Sequence, residues 1–436
     1  MLKLQDDFML DINMIRESPK IVEDAIKKRG DEEKLKLLKA LIESDKKYRE
    51  ELQELEKLKH DRNVISDEIA KLKKDGKDTS KKIKEASELP EKIKKLEEDV
   101  LKQKEMIDFT IMRIPNLIHD SVPVGQGEEK NVVIKTFGKP PKFNFQSKNH
   151  LEILKNLNLI DDERAEKVTG RGFFYLKGPL ALLDRALQSY AIEFLMKKGY
   201  LFIYPPHMLR KAPYEGMVDL SSFEDVMYKI ENEDLYLVAT AEHPVGAMFK
   251  DEVLNKKELP LKIVGFSTNF RKEVGAHGKY TKGLFRMHQF NKVEQFIFCL
   301  PEDSWKYHEE LQKNAEELYD KLGLHFRTVV LCSGETGTVS SKTYDIEMWM
   351  SDGIYREVGS NSNCLDYQAR RLNLRYREKE GQAPKGFLYT LNNTAIASSR
   401  TMVALIEQFQ QKDGTVLIPK VLWPYMNGIK KLEKIK

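Results

Sequence analysis

The residues able to do chemistry concentrate in one stretch. Between Phe270 and Phe296 stand Arg271, Glu273, Arg286, His288 and Glu294, with the flat ring of Phe290 among them. Arg271 and Glu273 are two apart, as are Arg286 and His288, so each pair shares one face of a strand. Cations, a carboxylate and an aromatic ring on one sheet face suit a nucleotide, although charges alone would equally make a solvated hairpin. Thr240 and Glu242 close the apolar run that starts at Leu235. A hydroxyl and a carboxylate there can hold an ammonium group or cap the following helix. Glu357 and Ser360 offer oxygen ligands to a magnesium ion held mainly by phosphates, or form a cap or surface pair. Arg400 stands in the first turns of a predicted helix, against the dipole preference. An anionic ligand or a salt bridge accounts for it. Neither a G-x-x-x-x-G-K-[ST] run nor a G-x-G-x-x-G after a strand is present, so a triphosphate here must be held by side chains.

These residues need a frame. The strand ending at Phe270 to Glu273 and a second from Leu284 to Phe298 flank a connector with Gly275, Gly278, Lys279, Thr281, Lys282 and Gly283. An amphipathic helix starts at Pro179 and stops at Gly199, followed by a short strand from Leu201 to Pro206. A strand from Tyr389 feeds the helix that carries Arg400. Near the N-terminus, Ser18 and Pro19 start a helix that Gly30 ends.

From about 31 to 107 a series of residues, apolar except for Arg62, recurs at spacings of three, four or seven. Leu52, Leu55, Arg62, Ile65, Ile69 and Leu72 give one seam. Ile83, Ala86, Ile93, Leu96, Val100 and Ile107 give the other, with Gly76 as the breaker between them. This predicts an antiparallel coiled-coil hairpin. Pro90 should kink its second helix or mark a late start. Pro115, Pro123, Gly125 and Gly127 mark a linker, so the boundary falls near 110, between an N-terminal domain (1–110) and a second domain (111–436).

The stretch from Phe270 to Phe296 closely resembles motif 2 of class II aminoacyl-tRNA synthetases, in the form found in seryl-tRNA synthetases. Other segments resemble the same family: the helix and strand ending in Pro206 (motif 1), Thr240-Ala241-Glu242, Glu357-Val358-Gly359-Ser360 and the Arg400 helix (motif 3). The likeness runs from about 9 to 427. It implies an α+β fold, a class II antiparallel sheet with flanking helices behind a coiled-coil arm. It implies ATP-dependent attachment of L-serine to serine tRNA, a chemistry the family also applies to selenocysteine tRNA. By resemblance Arg271, Glu273 and Arg400 are catalytic. Thr240, Ala241, Glu242, Arg271, Glu294 and Thr394 bind serine. Arg271, Lys272, Glu273, Phe290, Glu357, Val358, Gly359, Ser360 and Arg400 bind ATP, and Glu357 and Ser360 hold Mg2+. Gly359 and Asn361 depart from the commoner Ser and Cys of the family. Motif 1 implies a homodimer. Two other classes share parts of this pattern. A relative that charges a carrier protein would lack the tRNA-binding arm, and a non-catalytic coiled-coil scaffold need not keep Arg271, Glu273, Glu294 and Arg400.

Composition sets bounds. The 436 residues suffice for two or three domains. Net charge is only +4, so a case for nucleic acid must be local. Cys299, Cys332 and Cys364 are far apart and form no C-x-x-C, which fits a reducing, cytoplasmic setting. No apolar run of about 18 residues suggests a membrane span, and Met1 to Leu10 does not read as a secretory signal.

Charge along the arm balances overall, yet seven lysines between 71 and 84 face only Asp75 and Asp78. Lysine at the tip of a long arm suits contacts to an RNA backbone, and serine tRNA is the partner the resemblance implies. Reversing Lys73, Lys74, Lys77, Lys81 and Lys82 to Glu should weaken tRNA binding and flatten its salt dependence in a filter-binding titration. Unchanged affinity would remove the tip from the interface.

Overall fold

The computed structural model describes residues 11–273 and 283–436. The first ten residues, and the connector carrying Gly275, Gly278, Lys279, Thr281 and Lys282, lie outside the described residues. The chain divides into two units, one ending at Pro115 and the other starting at Asn116.

The N-terminal unit is helical. Ser18 and Pro19 open α1 (Pro19–Arg29), which ends at Gly30. Asp31 caps α2 (Glu32–Lys74) by accepting from the Lys34 N–H at 2.9 Å. Forty-three residues give α2 a length of about 65 Å. The chain reverses at Gly76, whose φ of +68° is open to glycine without strain, and returns as α3 (Ser80–Ile111). Leu55, Ile65, Ile93 and Ile107 are buried along the seam, and Leu52, Ile69, Leu72, Ala86, Leu96 and Val100 are half-buried. Arg62 and Ile83 are exposed, against expectation. A two-helix seam covers one side only, and Ile83 sits among Lys81, Lys82 and Lys84 near the tip. Pro90 marks no late start, because α3 runs through it. It is exposed, so water can satisfy the carbonyl it leaves unpaired. Lys73, Lys74, Lys77 and Lys81 stand exposed around the turn. Lys77 lies 3.5 Å from Asp75, and Lys82 is held by Glu68 at 2.9 Å and Glu85 at 3.2 Å.

The second unit is built on eight strands: β1 (Val132–Phe137), β2 (Leu201–Ile203), β3 (Leu261–Phe270), β4 (Gln289–Cys299), β5 (Phe326–Val330), β6 (Lys342–Trp349), β7 (Tyr355–Asn363) and β8 (Tyr389–Ala397). Their order is β1-β5-β6-β7-β8-β4-β3-β2. Every neighbouring pair is antiparallel except β2 with β3. The helices that matter for the site are α4 (Pro179–Lys197), α5 (Glu242–Gly246), α6 (Ser304–Lys321) and α7 (Ser398–Gln408). Leu180, Leu183, Leu187, Ala191 and Leu195 fall on one stripe of α4 and join Val293 and Ile297 of β4, Leu311 of α6 and Met402 of α7 in the main core. Each buried leucine contributes about 1.5–3 kcal/mol. Strand β4 sorts its residues by alternation. Its odd positions face these helices, while Phe290, Lys292 and Glu294 point the other way.

The strand expected from Leu284 is shorter than its sequence pattern. Gly283–Phe285 forms a 3-10 turn and β4 begins only at Gln289. The reason is local bonding. The His288 N–H is taken by the Gly172 carbonyl, and the His288 carbonyl accepts from Arg271.

One buried carboxylate joins three of these elements. Asp184 of α4 accepts from Gln188 at 2.8 Å, from Asn291 of β4 at 2.7 Å and from the Ser398 hydroxyl at the start of α7. Asp184→Ala would leave those donors unpaired at a dry site, a loss of about 2–3 kcal/mol. It should lower the urea midpoint clearly. Asp184→Asn, which keeps an acceptor oxygen, should lower it less.

Candidate active site

A cavity of about 390 Å³ gathers side chains from β4, β7, β8 and α7, with Arg271 and the Thr240–Glu242 segment closing it. On β4 the lining residues Phe290, Lys292 and Glu294 follow simple alternation. On β7 alternation fails, because Glu357 and Ser360 are three apart and would point to opposite faces. A bulge corrects this. Glu357 opposes Glu347, Gly359 opposes Ile346, and Val358 is the extra residue between them. Glu357 and Ser360 therefore both line the cavity. Strand β8 uses the same device. Thr394 opposes Glu294, Ile396 opposes Val293, and Ala395 is extra. Thr394 and Ala397 then share the cavity side, and α7 follows at once with Arg400.

Arg271 comes directly after β3. Its Nε and Nη2 donate to the Ala239 carbonyl at 3.3 and 3.2 Å, and its guanidinium lies 5.3 Å from the Phe290 ring centre. Burial, and then the charge of Arg400, push its pKa down. A site that strains an arginine in this way favours an added anion. Arg400 donates to the Glu357 carboxylate and, at 3.1 Å, to the Glu357 carbonyl. Burial opposes the Glu357 charge, but Arg400 more than offsets it and the carboxyl is held below its usual range.

Glu242 and Glu294 form the other end. Glu242 begins α5, and its N–H donates to the Thr240 hydroxyl at 3.1 Å, so Thr240 does serve the local turn. Glu242 accepts from Gln368 at 3.1 Å. Burial, and then the charge of Glu294, raise it to about 7. Glu294 sits 2.6 Å from Lys292 and accepts from the Thr394 hydroxyl at 3.3 Å. Burial raises its pKa, and Lys292 restrains the rise.

Some expectations shift. Arg271 and Glu273 are not a strand pair, since β3 ends at Phe270 and Glu273 has φ +50°. Glu273 borders both the cavity and an adjoining depression lined by Arg286 and His288. Arg286 donates to Glu273 at 3.0 Å, and the His288 ring meets the Tyr228 hydroxyl. Ala241, Lys272 and Gly359 are not among the residues lining the cavity. Lys272 is exposed, with its Nζ 5.9 Å from the Tyr228 ring centre. Sequence reasoning passed over Lys292, although its place two residues before Glu294 on one strand was a readable signal. It also passed over Gln368 and Asp345, which only the folded sheet brings near.

The oxygen set suits magnesium. Asp345 on β6 opposes Ser360 in register, and its Oδ1 is buried without a hydrogen-bond partner. With Glu357 and Ser360 it supplies hard oxygens only. Among the described residues no group of three or more His, Cys, Asp or Glu is arranged to hold a metal, so phosphate oxygens would have to complete the shell.

Family models match both parts of the chain. Residues 225–409 match the tRNA synthetase class II core domain (G, H, P, S and T), and residues 9–118 match the Seryl-tRNA synthetase N-terminal domain. A serine–tRNA ligase of Methanospirillum hungatei is 50% identical over 420 residues, covering 96% of this chain and 99% of its own. That of Pyrococcus horikoshii is 44% identical over 449 residues, covering 98% of each. A crystal structure of seryl-tRNA synthetase from Pyrococcus horikoshii complexed with ATP superposes with a TM-score of 0.93 at 43% identity, over 98% of this chain and 100% of that one. The cytoplasmic enzyme of Naegleria fowleri in complex with AMP gives 0.88 at 33% identity, with the same coverage.

The Glu242 carboxyl titrates near 7, and an ammonium ligand needs it ionised. Below that value binding must first release its proton, so affinity falls as pH falls. Serine binding by calorimetry should weaken about tenfold per pH unit below 7, with proton release seen in buffers of different ionisation heat. Glu242→Gln should bind weakly at every pH and release no proton.

Proposed function

The chain belongs to the seryl-tRNA synthetase family, and on that premise we propose that it attaches L-serine to serine tRNA through a seryl-adenylate, with ATP as the activating substrate. The observation that carries the reading is the pairing of two half-buried arginines from different elements, Arg271 and Arg400, with a separate end at half-buried Glu242 and buried Glu294. One end suits a polyphosphate, the other a small zwitterion with a hydroxyl.

A serine carboxylate oxygen attacks the α-phosphorus of ATP. The bond to the bridging oxygen breaks, and pyrophosphate leaves with its electrons. Arg271 neutralises the α-phosphate and orients the carboxylate, and Arg400 holds the γ-phosphate after exchanging its Glu357 partner for it. Phe290 stacks on adenine, whose amino group Glu273 reads. The backbone of Lys272, Val358 and Gly359 borders the nucleotide. Glu357 and Ser360 would hold magnesium, which when bound makes pyrophosphate a better leaving group. Glu242 and Thr240, beside Ala241, take the ammonium, while Glu294 and Thr394 take the hydroxyl. The tRNA 3′ hydroxyl then attacks the activated carbonyl and AMP departs. None of these protein groups forms a covalent bond, so their contribution is positioning and charge.

The same reading gives residues 1–110 the tRNA-gripping role and 111–436 the chemistry. It also makes the protein a homodimer. Met196, Leu201, Phe202, Tyr204 and Met208 are exposed around the motif 1 helix and strand, an apolar surface that suits a second copy. Among the described residues no helix is long and apolar enough to cross a membrane, and Cys299, Cys332 and Cys364 are free and buried, in keeping with work in the cytoplasm.

Serine-dependent ATP–pyrophosphate exchange tests the reaction, with alanine, glycine and threonine as controls and charging of tRNA as the second step. Glu294→Ala should lower kcat/KM for serine about ten- to hundredfold, because hydrogen bonds to charged groups contribute about 1.5–3 kcal/mol. Near-normal exchange by that variant would remove Glu294 from serine recognition.

A further inference from the structure

Gly359 lies beside the serine end of the cavity but contributes no side chain to it. Its backbone is not in the left-handed region, so conformational freedom is not what requires glycine here. Space is. A Cβ built on Gly359 would stand 2.9 Å from the Thr394 Cβ, 3.1 Å from its Cγ2 and 3.4 Å from its carbonyl oxygen. These are the root and backbone of a strand residue, not the far end of a flexible chain, so they cannot step aside cheaply. The pairing between β7 and β8 covers only Asn361 with Asn393, Ser362 with Asn392 and Asn363 with Leu391. Gly359 and Thr394 lie past its end, beside the two bulges, and are not paired with each other in register.

Thr394 has two branches on its Cβ. Its methyl rests towards Gly359, while its hydroxyl donates to Glu294 at 3.3 Å and lies 3.4 Å from the Lys292 Nζ. Threonine is stiff at this bond, so seating the methyl fixes the hydroxyl. We infer that Gly359 is a positioning residue for serine recognition: its missing side chain is the seat of the Thr394 methyl, which aims the Thr394 hydroxyl at Glu294 and the substrate hydroxyl. The inference rests on the proposed serine activation and adds to it a residue that touches no substrate side chain. Filling the seat turns or displaces Thr394 and leaves Glu294 without an ordered donor. The damage falls first on the hydroxyl of the amino acid, because Arg271 is held by the Ala239 carbonyl, away from Thr394.

The test is a double-mutant cycle in ATP–pyrophosphate exchange, using the full-length protein with folding checked by its melting curve. Gly359→Ala should raise KM for serine at least tenfold and narrow the preference for serine over alanine, with a clearly smaller rise in KM for ATP. Thr394→Ser, which keeps the hydroxyl and removes the methyl, should raise KM for serine only about threefold. In the double variant the methyl contact is gone and the 2.9 Å contact to the residue-394 Cβ stays, so KM for serine should fall only part of the way back from that of Gly359→Ala. An unchanged KM and preference in Gly359→Ala would overturn the inference. So would a double variant no better than Gly359→Ala, or equal rises in KM for serine and ATP. If Gly359→Ala does not fold, Thr394→Ser alone decides, and an unchanged KM for serine overturns the inference. Wild-type protein without serine-dependent exchange would overturn the proposed reaction, and this inference with it. Normal wild-type exchange with a flat cycle would overturn only the role of Gly359.

Discussion

A charge taken out of water must find another charge, and this cavity gathers seven, with Lys292 and Glu294 buried and the others half-buried. Arg271, Lys292 and Arg400 stand with Glu242, Glu273, Glu294 and Glu357 around one space. An unpaired ion at the depth of Lys292 or Glu294 costs several kcal/mol. Those two must therefore arrive together when the sheet forms, while Arg271 and Glu242 rest on neutral groups, the Ala239 carbonyl and the Gln368 amide. Lys292 meets Glu294 along one strand, Arg400 meets Glu357 across from a helix, and Glu273 meets Arg286 from either side of the connector. Of these pairs, Arg400 and Glu357 come from far apart in sequence. The Arg400–Glu357 pair thus ties α7 to β7 in front of the core.

The core behind β4 and the ions in front of it make opposite demands on alternate residues. Val293, Gln295 and Ile297 look towards α4 and α6, while Lys292 and Glu294 look away. A slip of one residue would exchange the two sets, placing a lysine and a glutamate in the main core. Asp184 adds a second lock. It holds Asn291 and Ser398, which flank the catalytic ends of β4 and α7.

Much of this was legible in the sequence. The helices with start and stop signals, Pro19 to Gly30 and Pro179 to Gly199, were readable because those signals are local. The seam of the arm was readable because period is local, and Ile83 escaped because exposure near a tip is not. Arg400 declared itself by conflict with a helix dipole, while the roles of Arg271 and Glu294 came from resemblance. The union of Glu357 with Ser360 did not follow from spacing, since alternation separates them. It came only from resemblance, and its cause is a bulge at Val358 that depends on the partner strand. The 3-10 turn at Gly283–Phe285 was hidden for a similar reason, because the bond from His288 to Gly172 bridges distant segments. Asp345 looked like an ordinary strand residue until β7 was laid beside it.

The ion pair between Arg400 and Glu357 has a bearing on turnover. The cavity carries its own counter-ions, three cations against four carboxylates, so it presents no bare positive well to an incoming polyphosphate. A phosphate that reaches Arg400 replaces a carboxylate there rather than a shell of water. The net gain is then a small difference between two similar attractions, and the trade can run in either direction. A fragment cut from the polyphosphate can depart as Glu357 returns to the arginine, without the protein passing through an uncompensated charge. Weak retention of the leaving fragment is in this sense already written into the resting contacts of the site.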